Sequence, residues 1–269
     1  MSDPARPDAT SATGTITRFA NGWWPRLRWF LAEFLVIVAG VLVALAVNAW
    51  WQGRQERQVE IAYLQQLHVD LQASSQTLAD THALIEGMTR ASASVLHQFW
   101  RPGQRSDGDL RKLMAEPLRS RRVLPVLGTA RSLIASGDLR LIQSTSLRSA
   151  IPRYVDAMDA YVSDVARYDE TYYQPGVRDV AELFDGSALV AGADLPRDRD
   201  YSTYSRPDST AQPPFPVDLQ MLLKDEAVYR AYSKLLIGHR GQANQYRAMQ
   251  KATAELQAEV TAALASLQR

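Results

Sequence analysis

Hydrophobic side chains fall into distinct regimes along this chain. From Phe34 to Val47, fourteen consecutive residues carry no polar side chain. Trp23, Trp24 and Trp29 stand before this run, and Trp50 and Trp51 follow it. From Trp29 to Trp50, a helix rising about 1.5 Å per residue covers roughly 31 Å, close to the ~30 Å hydrocarbon core of a bilayer. Tryptophans at both edges match the aromatic belts of membrane interfaces. The pattern predicts a transmembrane helix over residues 25–51, with the lipid bilayer as a partner. The rival is a cleaved signal peptide, since Ala44-Leu45-Ala46 matches a small-x-small cleavage site. A long preceding segment, the lack of a helix breaker and a helical pattern that continues past Trp51 favour the anchor.

Beyond the span the apolar period changes to alternating threes and fours. Leu64, Leu67, Leu71, Ser74, Leu78, Thr81, Ile85, Met88, Ser92, Val95 and Phe99 form one seam. The polar members weaken it, so it predicts one wall of a bundle rather than an autonomous coiled coil. The span should run into this helix, with a bend at Gly53, and Arg101-Pro102-Gly103 should end it. A broken region follows, with a short helix over 109–116 and a loop over 117–125. Leu127 to Ala135 reads as a helix stopped by Gly137, and Ser144 or Ser146 can cap the next one. That helix should run from Leu147 towards Phe184 on Ile151, Val155, Met158, Val162, Val165 and Tyr172. Tyr154, Tyr161 and Tyr168 add a second stripe, and Pro175-Gly176 should kink or end the helix. The last segment, 218–269, carries a stripe from Tyr232 through Leu236, His239, Ala243, Tyr246, Met249, Thr253, Leu256 and Val260 to Ala263 and Leu267.

These patterns predict an all-α fold: a transmembrane helix continuing into an up-down antiparallel helical bundle with one long proline-rich loop. Residues 1–24 read as a disordered cytoplasmic tail, and 52–269 as an exported domain whose loop spans 185–217. The orientation rests on Arg18, Arg26 and Arg28 before the span, against Arg54 and Arg57 after it. It implies a cytoplasmic N-terminus and an exported C-terminal domain, which in a bacterial cell would be an inner-membrane protein with a periplasmic domain.

Glu33, Gly40, Ala44 and Asn48 share one stripe of the span, within roughly 100° at about 100° per residue. Small residues let helix backbones approach, and polar groups in lipid gain from a protein partner. The four are candidates for association with a second copy or a partner transmembrane helix. The blander reading is that Glu33 and Asn48 snorkel to nearby headgroups.

Composition removes several classes of chemistry. The chain has 269 residues, a net charge of +1 and no cysteine. Disulfides, thiolate catalysis and cysteine-ligated metals are excluded, and no global field selects nucleic acid. The histidines are His68, His82, His97 and His239, with no two at helical ligand spacing. His82 and Glu86 form the only suggestive pair. Asp156, Asp159, Asp164 and Asp169 read as a solvated acidic face, and Arg119, Arg121 and Arg122 as loop charges. No phosphate-binding, dinucleotide or nucleophile motif occurs. Neither cofactor nor metal is expected.

The most specific polar cluster is Ser136, Gly137, Asp138 and Arg140. It reads as a helix stop in which Arg140 pairs with an acid on a neighbouring helix, or as a recognition corner at the end far from the span. Glu33 to Trp50 resembles the single span of an uncharacterised bacterial membrane-protein family, a domain of unknown function. Tyr63-Leu-x-x-Leu67-x-x-Asp70-Leu71 is similar to its juxtamembrane helix. Leu133-Ile-Ala-Ser-Gly137-Asp-Leu-Arg140-Leu-Ile142, with Leu147-Arg-x-Ala-Ile151, resembles its central signature. The resemblance implies topology and no chemistry.

The functional expectation is a non-enzymatic, membrane-anchored interaction or scaffold module. A ligand-sensing exported bundle that signals through a partner protein is the alternative, and an enzyme ranks last. A tyrosine-lined cavity would favour the sensor, and a filled core the scaffold.

Overall fold

The computed structural model describes residues 23–184 and 217–267. The expected loop, apart from Val217, and the expected tail, apart from Trp23 and Trp24, lie outside the described residues. Every element described is helical, with no strand among the described residues. The chain is all-α.

Helix α1 is unbroken from Trp23 to Gln98, 76 residues through both the apolar run and the leucine seam. Gly53 does not interrupt it. The chain divides into two units between Gln58 and Val59. In the first, α1 is long and apolar enough to cross a membrane, and its apolar residues are exposed, Val36 at 71% and Leu35 at 63%.

In the second unit the seam is buried residue by residue. Leu64, Leu67, Leu71, Leu78, Ile85, Met88 and Val95 are each 1% exposed or less. A turn at Trp100 and a left-handed Gly103 end the helix region as expected. Helix α2 (Asp107–Ala115) starts at Ser106, whose hydroxyl accepts the Asp109 N–H. A 3-10 turn (Glu116–Leu118), extended chain and helix α3 (Gly128–Ser136) follow. Gly137 closes α3 with φ 75°, a left-handed conformation that a side chain would strain. A 3-10 turn (Asp138–Leu141) leads to helix α4 (Thr145–Tyr168), capped by the Ser144 hydroxyl at Leu147 N–H.

The helix after α4 departs from the expected period. A π turn occupies Asp169–Tyr173, and helix α5 runs from Gln174 to Leu183. Pro175 has no N–H to offer the Thr171 carbonyl, and the Gln174 N–H bonds back to Asp169 O instead. The inserted residue moves the buried position from the expected Tyr172 to Tyr173, which is 5% exposed. The last segment also differs. It is two helices, α6 (Leu219–Leu222) and α7 (Glu226–Leu267), because Asp218 caps the first and Asp225 accepts the Ala227 N–H to start the second. On α7 the fully buried leucine is Leu235; Leu236 is partly buried.

Pairings fix the helix directions within this unit. Glu86 meets Arg247 and Ser92 meets His239, so α1 and α7 run antiparallel. Tyr154 meets Thr253 and Tyr168 lies against Gly241, so α4 and α7 are antiparallel too. Apolar side chains gather into two clusters. One joins the leucine seam to α3, α4 and the C-terminal half of α7; the other joins the end of α1 to α2, α5, α6 and the start of α7.

Candidate functional site

Four polar side chains on α1 hold the segment 126–143, which includes α3 and the turn after it. Ser74 Oγ accepts the Val126 N–H at 2.8 Å. Asp70 Oδ2 accepts from Thr129 twice, from N–H at 3.1 Å and from the hydroxyl at 2.7 Å. The Tyr63 hydroxyl donates to Asp138 Oδ2 at 2.9 Å. Glu60 Oε1 accepts the Gln143 N–H at 2.7 Å. Their order along α1 is the reverse of their partners' order, so the segment descends α1 antiparallel to it.

The ladder works because helix starts lack hydrogen-bond acceptors. Leu127, at the N-cap of α3, supplies no side-chain cap, and Asp70 supplies one from another helix. Negative charge there also suits the positive end of the helix dipole. Glu60 is 2% exposed, and its Oε2 has no hydrogen-bond partner.

The predicted corner is part of this ladder. Asp138 Oδ2 lies 2.8 Å from the Ser136 hydroxyl as well as 2.9 Å from Tyr63. The Ser136 hydroxyl, aided by Tyr63 and by the charge of Arg140, holds the Asp138 carboxyl below the usual carboxylate range despite some burial. Bonding to that carboxylate raises the Tyr63 phenol. Arg140 makes no ion pair with a neighbouring helix among the described residues; its charge acts on Asp138 beside it. The corner lies at the Tyr63 end of its unit, opposite the Trp100 end. Two segments singled out in the sequence, Tyr63–Leu71 and Leu133–Ile142, therefore meet. The corner is a brace built from the helix stop and α1.

The span residues lie elsewhere. Glu33, Gly40, Ala44 and Asn48 are exposed, and a Cβ added at Gly40 would meet nothing within 4 Å. They belong to the first unit, and Ser136, Gly137, Asp138 and Arg140 to the second.

A polar layer that sequence reasoning passed over separates the two apolar clusters. Along α1, Met88 belongs to the first cluster and Val95 to the second, with Ser92 between. Along α7, Leu235 and Ala243 bracket His239 and Gln242 in the same way. The π turn follows Val165 of the first cluster and ends at Tyr173 of the second. The Ser92 hydroxyl donates to Met88 O at 2.9 Å and sits 3.3 Å from His239 Nδ1. With that proton engaged, Nδ1–H is the donor to Ser92, and the buried Nε2 has no hydrogen-bond partner. Burial pushes the imidazole down to about 4, with the Arg119 backbone opposing the shift. Tyr173 packs on the ring at 5.3 Å, and its hydroxyl, 2.8 Å from Leu118 O, donates there. Glycines at 238 and 241 carried the available signal: they let the π turn approach α7. A Cβ at Gly238 would lie 3.1 Å from Tyr173 N, and one at Gly241 2.3 Å from the Tyr168 ring.

Other candidates are engaged in ion pairs. Glu86 lies 3.4 Å from His82, yet it also bonds Arg247 at 2.7 Å. Asp159 pairs with Arg131, Asp164 with Arg167 and Arg119 with Glu116. No group of three metal-binding side chains occurs among the described residues. Tyr154 and Tyr161 border an open groove between α4 and α7; Tyr154 belongs to the first cluster and Tyr161 packs against it.

No family model, curated protein or solved structure matches this chain.

Proposed function

We propose that the chain is a membrane-anchored helical interaction module of the bacterial envelope. In this reading α1 crosses the inner membrane once, with the N-terminus in the cytoplasm. Residues 52–269 form an up-down bundle on the exported side and work by protein–protein contact. One observation carries the reading: the contrast along α1. The same helix exposes its apolar residues from Trp29 to Trp51 and buries its leucines from Leu64 onward. Leu, Ile and Val side chains that are mostly exposed over that length need lipid or a partner to cover them. The arginine excess before Trp29 favours the orientation. The likeness of the span, the juxtamembrane helix and the central signature to the uncharacterised family favours the same topology. The packed clusters and the structural duty of the Ser136–Arg140 corner favour a scaffold over an enzyme.

The test is a pair of reporters fused after Arg269, one active only outside the cytoplasm and one only inside, with alkaline extraction of membranes. The reading expects the outside reporter alone to be active and the chain to stay in the membrane fraction. Activity of the inside reporter would reverse the topology. A soluble mature protein starting near Val47 would establish the cleaved signal instead.

A further inference from the structure

The groove between α4 and α7 has a volume of about 360 Å³, within the ~300–1,000 Å³ typical of small-molecule sites. Its walls differ in charge. Arg153 lines it from α4, and Glu255 and Glu259 from α7. Tyr154, Ala157 and Tyr161 line it as well; Tyr154 is buried at 4% exposure, so Tyr161 is the aromatic side chain the groove offers, and Ala157 leaves space that a larger residue would fill. Arg153 Nε donates to Ser149 O at 3.0 Å, which ties the side chain to its own helix and leaves the terminal nitrogens as donors. Glu255 meets Lys251 only at 3.9 Å, and both side chains are well exposed, so that pair competes weakly for the carboxylate.

From this arrangement we propose that the groove binds a small zwitterion with an apolar body, of aminocarboxylate chemistry. The ligand's carboxylate faces the Arg153 guanidinium, a donor suited to planar anions. Its ammonium faces Glu255 and Glu259, and its apolar body lies against Tyr161 and the alanines of the groove. A ligand of one sign would gain from one wall and be repelled by the other. The proposal concerns α4 and α7 alone and does not rest on the membrane reading. Binding of this kind would give the helical unit a sensing input.

The test uses the full chain in detergent micelles, with L-phenylalanine as probe and calorimetry or ligand-observed magnetic resonance as readout. Phenethylamine lacks the carboxylate and 3-phenylpropionate lacks the ammonium. Each should bind about tenfold more weakly than phenylalanine, since a hydrogen bond to a charged group contributes at least that factor. Arg153→Gln should abolish the preference for phenylalanine over phenethylamine. Glu255→Gln with Glu259→Gln should abolish its preference over 3-phenylpropionate. Ala157→Leu should remove binding, with the melting temperature and circular dichroism reporting an intact fold. Absence of saturable binding overturns the proposal. So does equal affinity for the three probes, or affinity unchanged in Arg153→Gln and in the double glutamine variant. None of these results would alter the topology measured with the fused reporters.

Discussion

Asp70 caps a helix that begins 58 residues further along the chain. Its Oδ2 accepts both the N–H and the hydroxyl of Thr129, at 3.1 and 2.7 Å, in the first turn of α3. Losing a capping acceptor typically costs ~0.5–2 kcal/mol, and asparagine caps about as well as aspartate. Asp70→Ala should therefore lower unfolding free energy by about 1–2 kcal/mol, and Asp70→Asn by less. Arg121→Ala, at an exposed loop position, should change it hardly at all. Denaturant unfolding of the purified chain checks the order. Equal losses for Asp70→Ala and Arg121→Ala would mean that the ladder contributes nothing.

The glycines of α7 and of α1 should respond to the same substitution with opposite signs. Gly241 has no room for a Cβ beside the Tyr168 ring, and Gly238 faces the backbone of Tyr173. Alanine at Gly238 must push the π turn away from α7, and alanine at Gly241 must displace the Tyr168 ring, overpacking that costs about 1–3 kcal/mol. Gly87, inside α1, has nothing within 4 Å of a built Cβ. There alanine only removes backbone freedom from the unfolded chain, so Gly87→Ala should stabilise by about 0.5–1 kcal/mol. Melting curves of the three variants give the signs directly. A stabilised Gly241→Ala would refute the close approach.

The reach of sequence reasoning follows from the range of each interaction. The leucine seam of α1 was legible to the residue because helical period is local: Leu64 through Val95 each follow from spacing alone. The helix stop at Gly137 and the cap at Ser144 were legible for the same reason. The polar ladder was not. Glu60 and Gln143 lie 83 positions apart, and Tyr63 and Asp138 lie 75 apart, so no local pattern joins them. The π turn defeated the period itself. One inserted residue moved burial from Tyr172 to Tyr173, and Pro175 was the visible cause. On α7, the spacing of Gly238 and Gly241 signalled a close helix contact that the apolar stripe concealed. The break at 223–225 was hidden because Asp218 and Asp225 look like ordinary helix residues until their caps are seen.

His239 sets a pH dependence whose direction is fixed by its burial. Its folded value, about 4, lies below the ~6.5 of an exposed histidine, so between these values the unfolded chain binds more protons. Stability from this group is full above pH ~6.5 and falls as the pH drops from there through about 4. The loss at the acid end amounts to ~3 kcal/mol, at about 1.36 kcal/mol per pH unit. Lowered carboxylates such as Asp138 act in the same direction but further into acid. His239→Gln isolates the histidine: its stability should change less than that of the wild type between pH 6.5 and 4.5. Parallel stability curves for the two proteins would show that His239 is not buried in its neutral form.

The span makes the remaining prediction. Glu33, Gly40, Ala44 and Asn48 lie exposed along one stripe of α1, and the described chain offers Gly40 no neighbour within 4 Å. If the stripe is an interface, a second helix must approach at Gly40 closely enough to exclude a branched side chain. Gly40→Ile fills that space without lowering hydrophobicity, so it tests contact and not membrane insertion. It should lower a membrane two-hybrid signal several-fold. Glu33→Leu should lower it less, since polar contacts between transmembrane helices average only ~0.6 kcal/mol. Leu42→Ile, at an exposed position on the opposite side of the helix, should leave the signal unchanged. If all three variants associate like the wild type, Glu33 and Asn48 snorkel to the headgroups, and the span anchors the chain without choosing a partner.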